Sequence, residues 1–210
     1  MRRLFAAIVI VFASGAVGAA DFPVKAAFHP APVMTWSGLY GGVHLGAAWG
    51  YFRPDPILPG PTDVAGNVTF GGQLGYNWQV GRVVYGVEAD ASWIRILSSS
   101  AGASFEEDWM STARLRYGYT FEDYLFYLTG GVGFTHVKTA VFGVGSDSAV
   151  LASFVGGFGV ERRFSSKWSG RLEALFVDVP RRNYNNGGFI TNGGSHNYVV
   201  RAGLNYWLRP

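Results

Sequence analysis

Between Phe70 and Trp93 the side chains alternate in character with almost no break. Phe70, Gly72, Leu74, Tyr76, Trp78 and Val80 interleave with Gly71, Gln73, Gly75, Asn77 and Gln79. After a tight turn at Gly81-Arg82, Tyr85, Val87, Ala89, Ala91 and Trp93 interleave with Gly86, Glu88, Asp90 and Ser92. A period of two is a strand signature, and here it gives one apolar face and one face of small, amide and acidic residues. Such a hairpin is not stable alone and requires partners.

The same pattern recurs along the chain. A first strand over 36–51 places Leu39, Val43, Leu45, Ala47, Trp49 and Tyr51 on one face. The opening hairpin supplies strands two and three. Strand four, 108–121, sets Trp109, Ala113, Leu115, Tyr117, Tyr119 and Phe121 against Thr112, Arg114 and Arg116. Strands five and six carry Phe126, Leu128 and Val132, then Phe154, Phe158 and Val160; Glu161 and Arg163 lie on the polar side and Arg162 on the apolar side. Trp168, Leu172, Ala174 and Phe176 oppose Arg171 and Glu173 in strand seven. Val200, Ala202, Leu204, Tyr206 and Leu208 oppose Arg201 in strand eight. Tight turns alternate with longer stretches rich in Pro, Gly, Ser and Asn at 52–66, 97–107, 138–147 and 180–195, which read as long loops. Eight strands with alternating short and long connections predict an all-β fold, an eight-stranded antiparallel up-and-down transmembrane β-barrel.

Composition supports strands over helices. Of 210 residues 30 are glycine and 16% are aromatic, while only 15% are charged. Cysteine is absent, which excludes disulfide staples and thiolate chemistry. Met1-Arg2-Arg3 followed by an apolar run and Val17-Gly18-Ala19 reads as a signal peptide over residues 1–19. Residues 20–35, with Pro23, Pro30 and Pro32, read as a periplasmic tether, and 36–210 as the barrel. Without the leader the basic and acidic residues nearly balance, so nucleic acid is not an expected partner.

Alternation alone does not say which face meets solvent, and a secreted lipocalin-like carrier with an apolar interior is the competing soluble fold. Two features favour a membrane. The polar face is mostly Gly, Ser, Thr, Asn and Gln, as in a crowded lumen. Trp49, Tyr51, Trp78, Tyr85, Trp93, Trp109, Tyr119, Trp168 and Tyr206 sit near strand ends on the apolar face, where lipid-interface aromatics belong. Glu88, Asp90, Glu161 and Glu173 then face inward with Arg114, Arg116, Arg163, Arg171 and Arg201, a lumen charge network that packs as a plug. This facing predicts that Leu74→Arg costs roughly 2–4 kcal/mol and Gln73→Arg less.

Trp36-Ser-Gly-Leu-Tyr-Gly-Gly, Gly71-Gly-Gln-Leu-Gly-Tyr-Asn-Trp, Tyr85-Gly-Val-Glu-Ala-Asp, Tyr127-Leu-Thr-Gly-Gly-Val-Gly and Arg201-Ala-Gly-Leu-Asn-Tyr resemble the small porin-like outer-membrane immunogenic proteins of Gram-negative bacteria. The resemblance implies an OmpA-type barrel in outer-membrane lipid, a surface antigen with four outward loops and both termini in the periplasm. It also implies an assembly signal read by the barrel-assembly machinery, here Arg201, Gly203, Tyr206 and Leu208, with Leu208 where relatives usually end on an aromatic residue.

No catalytic, cofactor or metal site is expected. The histidines at 29, 44, 136 and 196 lack metal-ligand spacing. Ser195-His196 has no orienting acid in the sequence and reads as a loop end. Arg53, Arg181, Arg182 and Tyr184 could meet a host or environmental ligand at the loops. The expected function is structural and antigenic, with a narrow porin or a haem-binding barrel as alternatives.

Overall fold

The computed structural model describes residues 35–54, 65–100, 103–141, 143, 145–186 and 189–208. Residues 1–34, read above as a signal peptide and most of a tether, lie outside them. Eight strands follow in order: β1 (Gly38–Pro54), β2 (Ala65–Val80), β3 (Val83–Ser100), β4 (Ala103–Phe121), β5 (Tyr124–Val141), β6 (Gly145–Arg163), β7 (Trp168–Asn186) and β8 (Phe189–Trp207). Each pairs antiparallel with its neighbours in sequence, and β8 returns to β1, closing the barrel. Closure leaves no free edge, which a strand surrounded by hydrocarbon requires.

At one end, here the near end, the connections are tight. Gly81-Arg82 and Glu122-Asp123 each turn in two residues, with left-handed first positions at φ 61° and 52°. The segment 164–167 forms the third near-end turn.

The far end departs from the sequence reading. The stretches 97–107, 138–147 and 180–195 are not long loops. Their backbones continue the ladder, down to Ser100↔Ala103, Val141↔Gly145 and Asn186↔Phe189. Backbone pairing needs no hydrophobic face once the strands pass beyond lipid, so alternation fades while the hairpins continue. The stretch 52–66 is shorter than expected as a loop, because β1 runs to Pro54 and β2 begins at Ala65.

Three register shifts interrupt these extensions, at Trp93/Ile96, Glu107/Met110 and Val179/Arg182. The third spans Pro180, which has no N–H to give the ladder. At the second, the extra residue turns both Glu107 and Met110 inward, at 0% and 1% exposure.

The outward face between the ends is apolar: Val43, Leu45, Leu115, Leu128, Phe154 and Phe158 are all more than half exposed. That is the reverse of a lipocalin-like fold, whose oil is inside.

Candidate functional site

Strict alternation turns Glu88 and Asp90 of β3, Arg114 and Arg116 of β4, Glu161 of β6, Arg171 and Glu173 of β7 and Arg201 of β8 into the lumen, where each is nearly inaccessible. Glu88 and Arg114 are direct partners across β3 and β4. Arg114 reaches three carboxylates, Glu88 at 2.5 Å, Asp90 at 2.9 Å and Glu173 at 3.0 Å. Glu88 also meets Arg171 at 2.5 Å and Arg116 at 3.4 Å. Arg201 donates to Asp90 at 3.1 and 3.2 Å and to Glu173 at 2.7 Å. Arg116 extends the chain to Glu161 at 2.8 Å. Four carboxylates and four guanidiniums therefore share one dry layer. Each ion would be expensive to bury alone, and the layer is tolerable because every charge faces opposite charge at hydrogen-bonding distance.

Arg163 is brought elsewhere. Its position toward the near end puts its guanidinium 4.1 Å from the Trp207 ring centroid and 5.4 Å from that of Trp36, and it donates to the Thr35 carbonyl. Among the described residues it joins no ion pair.

Neutral residues complete the layer and were not singled out from sequence. The Tyr40 hydroxyl donates to Glu88 at 2.7 Å and accepts from Arg116 at 2.5 Å. Tyr127 lies beneath Arg116, 3.9 Å from ring centroid to guanidinium carbon, and donates to Glu173 at 3.2 Å. Both tyrosines sit on the polar face opposite a glycine, Tyr40↔Gly75 and Tyr127↔Gly159. A methyl group at either glycine would overlap the ring. An aromatic on the small-residue face, paired with glycine, is the signal that could have found them.

Apolar layers lie on either side of the charges. Toward the near end Trp36, Tyr40, Val84, Leu125, Tyr127 and Trp207 form one buried cluster. Trp36 is held there by its N–H, which donates to Gln79 Oε1 at 2.7 Å. Toward the far end Ile94, Ile96, Met110, Val137, Leu151 and Val177 belong to a second cluster. Glu107 is set at that level and accepts from Ser195 and Asn197, both at 2.6 Å.

The outward aromatics form two groups. Trp78 and Tyr85 stack at 5.8 Å near the near end, with Trp168 and Tyr206 5.0 Å apart on the other side of the seam and Tyr119 about half exposed. Trp93 and Trp109 pair at the far end, and Trp49 stacks on Tyr198 at 6.3 Å. The Tyr51 side chain lies outside the described residues. Of the C-terminal signal residues, Arg201 is in the charge layer and Gly203 faces inward, where a methyl would press on Arg171 Nε at 3.0 Å. Tyr206 faces outward, and the Leu208 N–H donates to Leu39 O at 2.9 Å.

Ser195 and His196 are consecutive in β8 and look opposite ways. Ser195 points inward to Glu107; His196 points outward, with Nδ1 2.9 Å from Asp178. The histidine does have an acid partner, but the hydroxyl is on the other side of the sheet. His44, inside, has both nitrogens engaged, by Gln73 at 2.7 Å and Ser92 at 2.9 Å. Arg181 and Arg182 are exposed on the β7 extension, while the side chains of Arg53 and Tyr184 and all of His29 lie outside the described residues.

Residues 7–206 match the family described as outer membrane protein beta-barrel domain. The chain belongs to that family. Within it, the 31 kDa outer-membrane immunogenic protein of Brucella melitensis is 35% identical over 97% of this chain and 98% of its own length. The 22 kDa outer membrane protein of Rhizobium leguminosarum is 31% identical over 86% of this chain and 80% of its own. Among solved structures, Neisserial surface protein A superposes with a TM-score of 0.51 at 11% identity, covering 82% of this chain and 98% of that one. This last likeness shows the fold alone. The family match, the relatives' location and the apolar exterior together make the chain an outer-membrane β-barrel protein.

Proposed function

We propose that this protein is a closed structural barrel without enzymatic activity, which holds its far-end hairpins outside the cell as an antigenic surface. The observation that carries this reading is the filled interior: a charge-balanced layer of four carboxylates and four guanidiniums between two levels of mostly apolar buried side chains. An ion crossing it would have to break several buried ion pairs and enter two zones with little to replace its hydration. The far end faces outward and the near end the periplasm in this reading, which is supported by the near-end placement of both barrel termini and by the long hairpin extensions opposite. The relatives named immunogenic support an exposed far end. Arg201, Gly203, Tyr206 and Leu208 serve the assembly machinery before taking their places in the folded seam.

A solved barrel of the same fold, with a TM-score of 0.50 and 11% identity, is the outer membrane protease OmpT of Escherichia coli, so the fold by itself does not exclude chemistry. Here the opposed directions of Ser195 and His196 argue against a serine–histidine pair. The engaged nitrogens of His44 argue likewise against axial ligation of haem from within. Planar-bilayer recording tests the reading: the folded protein is expected to give no current above the lipid background. Reproducible unitary openings would establish the narrow-pore alternative instead.

A further inference from the structure

Near the near-end aromatic belt the lipid-facing wall carries a guanidinium. Arg162 follows the inward Glu161 on β6, so alternation turns it outward, on the same face as Phe164. Its cross-strand partners are Tyr124 on β5 and Gly170 on β7. The guanidinium carbon lies 5.3 Å from the Tyr124 ring centroid, and on the other flank the Phe164 ring covers Gly170, 3.1 Å from where a methyl there would sit. Among the described residues Arg162 forms no ion pair. Its surroundings are otherwise those of a bilayer boundary: Phe164 is 58% exposed and Trp168 41%.

Among the described residues, the other exposed charged groups at this end are the Arg82 and Lys167 cations and the Glu122-Asp123 turn. Arg82 donates to the Tyr119 hydroxyl at 3.3 Å, and Lys167 is exposed in its turn. An arginine facing hydrocarbon is costly at midplane and tolerable at headgroup depth, where its long stem can lie along apolar surface. Its planar fork matches two phosphate oxygens at once, and the ring beneath holds the plane of that fork.

We propose that Arg162, steadied by Tyr124 and flanked by the Phe164 ring, binds the phosphodiester of an anionic phospholipid in the leaflet around the near end. The choice of a phospholipid over a glycolipid rests on the orientation proposed above. The binding chemistry can be measured without it, and protease accessibility of the far-end hairpins on intact cells tests the orientation separately.

The test is native mass spectrometry of the folded barrel released from neutral detergent, titrated with phosphatidylglycerol or phosphatidylcholine. Retention of the folded, heat-sensitive gel mobility qualifies each variant. One phosphatidylglycerol is expected to be retained preferentially. Arg162→Gln should weaken it about tenfold and Arg162→Lys less, because lysine keeps the charge and loses the fork. Arg82→Gln should change it less than about twofold, since Arg82 lies in the turn between β2 and β3 and not on β6. Tyr124→Leu, a second variant, should weaken it by about threefold through loss of the ring. Equal retention by wild type and Arg162→Gln would overturn the proposal. So would loss of the lipid to excess inorganic phosphate, which would indicate a free-anion site.

Discussion

Glu88 Oε1 and Arg114 Nη2 stand 2.5 Å apart as direct register partners on β3 and β4, with no exposed side-chain surface on either. The pair is the hinge of the charge layer, because Arg114 also serves Asp90 and Glu173, and Glu88 also serves Arg116 and Arg171. Removing one member leaves its partners buried and short of counter-charge. Arg114→Ala is expected to destabilise the barrel by about 3–5 kcal/mol in urea titrations of protein folded into lipid vesicles. Glu88→Ala combined with Arg114→Ala should cost clearly less than the sum of the two. Strict additivity would mean the pair is not coupled.

The lipid face gives a second expectation. Leu74 is 55% exposed and points into the bilayer, so Leu74→Arg should cost about 2–4 kcal/mol in the same assay. Gln73→Arg does not read as the milder change once packing is known. Gln73 is 6% exposed, its amide bridges His44 and Asn205 at 2.7 Å each, and a cation added opposite Asp90 would compete with Arg114 and Arg201 for that carboxylate. Both substitutions are expected to destabilise, Leu74→Arg through lipid and Gln73→Arg through overpacking and charge. Full tolerance of Leu74→Arg would contradict the facing.

Gly75 makes room for the Tyr40 ring. Gly75→Ala should displace that ring and break the hydroxyl's bonds to Glu88 and Arg116, lowering stability by roughly 1–3 kcal/mol. The loss should shrink in a Tyr40→Phe background, where the hydroxyl bonds are already gone. An unchanged loss there would assign the cost to the backbone instead.

Glu107 sits among apolar residues and accepts two hydrogen bonds, from Ser195 and Asn197, with no cation beside it among the described residues. Asn197 Oδ1 has no partner, so a flipped Asn197 amide can accept from a glutamine. Glu107→Gln is therefore expected to change stability by less than about 1 kcal/mol, and Glu107→Ala to cost about 1–3 kcal/mol by orphaning both donors. A severe loss in Glu107→Gln would mean that the carboxylate itself is required.

The bilayer-spanning part was legible because one rule governs it: lipid outside forces every second residue to be apolar, and by that rule Glu88, Arg114 and Arg201, all buried, turn inward. The rule weakens at the edges of the bilayer. Ile94 and Ile96 face inward though the strand below them is polar inside, and nothing in alternation distinguishes an apolar lumen layer from lipid contact. Glu107 falls in a stretch whose Ser, Gly and Ala content reads as a loop, and the bulge beside it leaves no periodic trace that would set it inward. Arg163 obeys the alternation and still misses the charge layer, because depth along the strand, set by register, is not encoded in which face a residue occupies. The far-end hairpins read as loops for a related reason. Their ladders are held by backbone groups, and backbone pairing has no side-chain signature.

The seam has one more consequence. Tyr40 lies opposite Trp207, and the Leu208 amide reaches back to Leu39, so β1, paired with β2 on one side, finds its second neighbour only in the last of the eight strands. Until β8 has left the ribosome, that flank of β1 has no strand among the described residues to cover it. The ring can shut only once its last strand has been made.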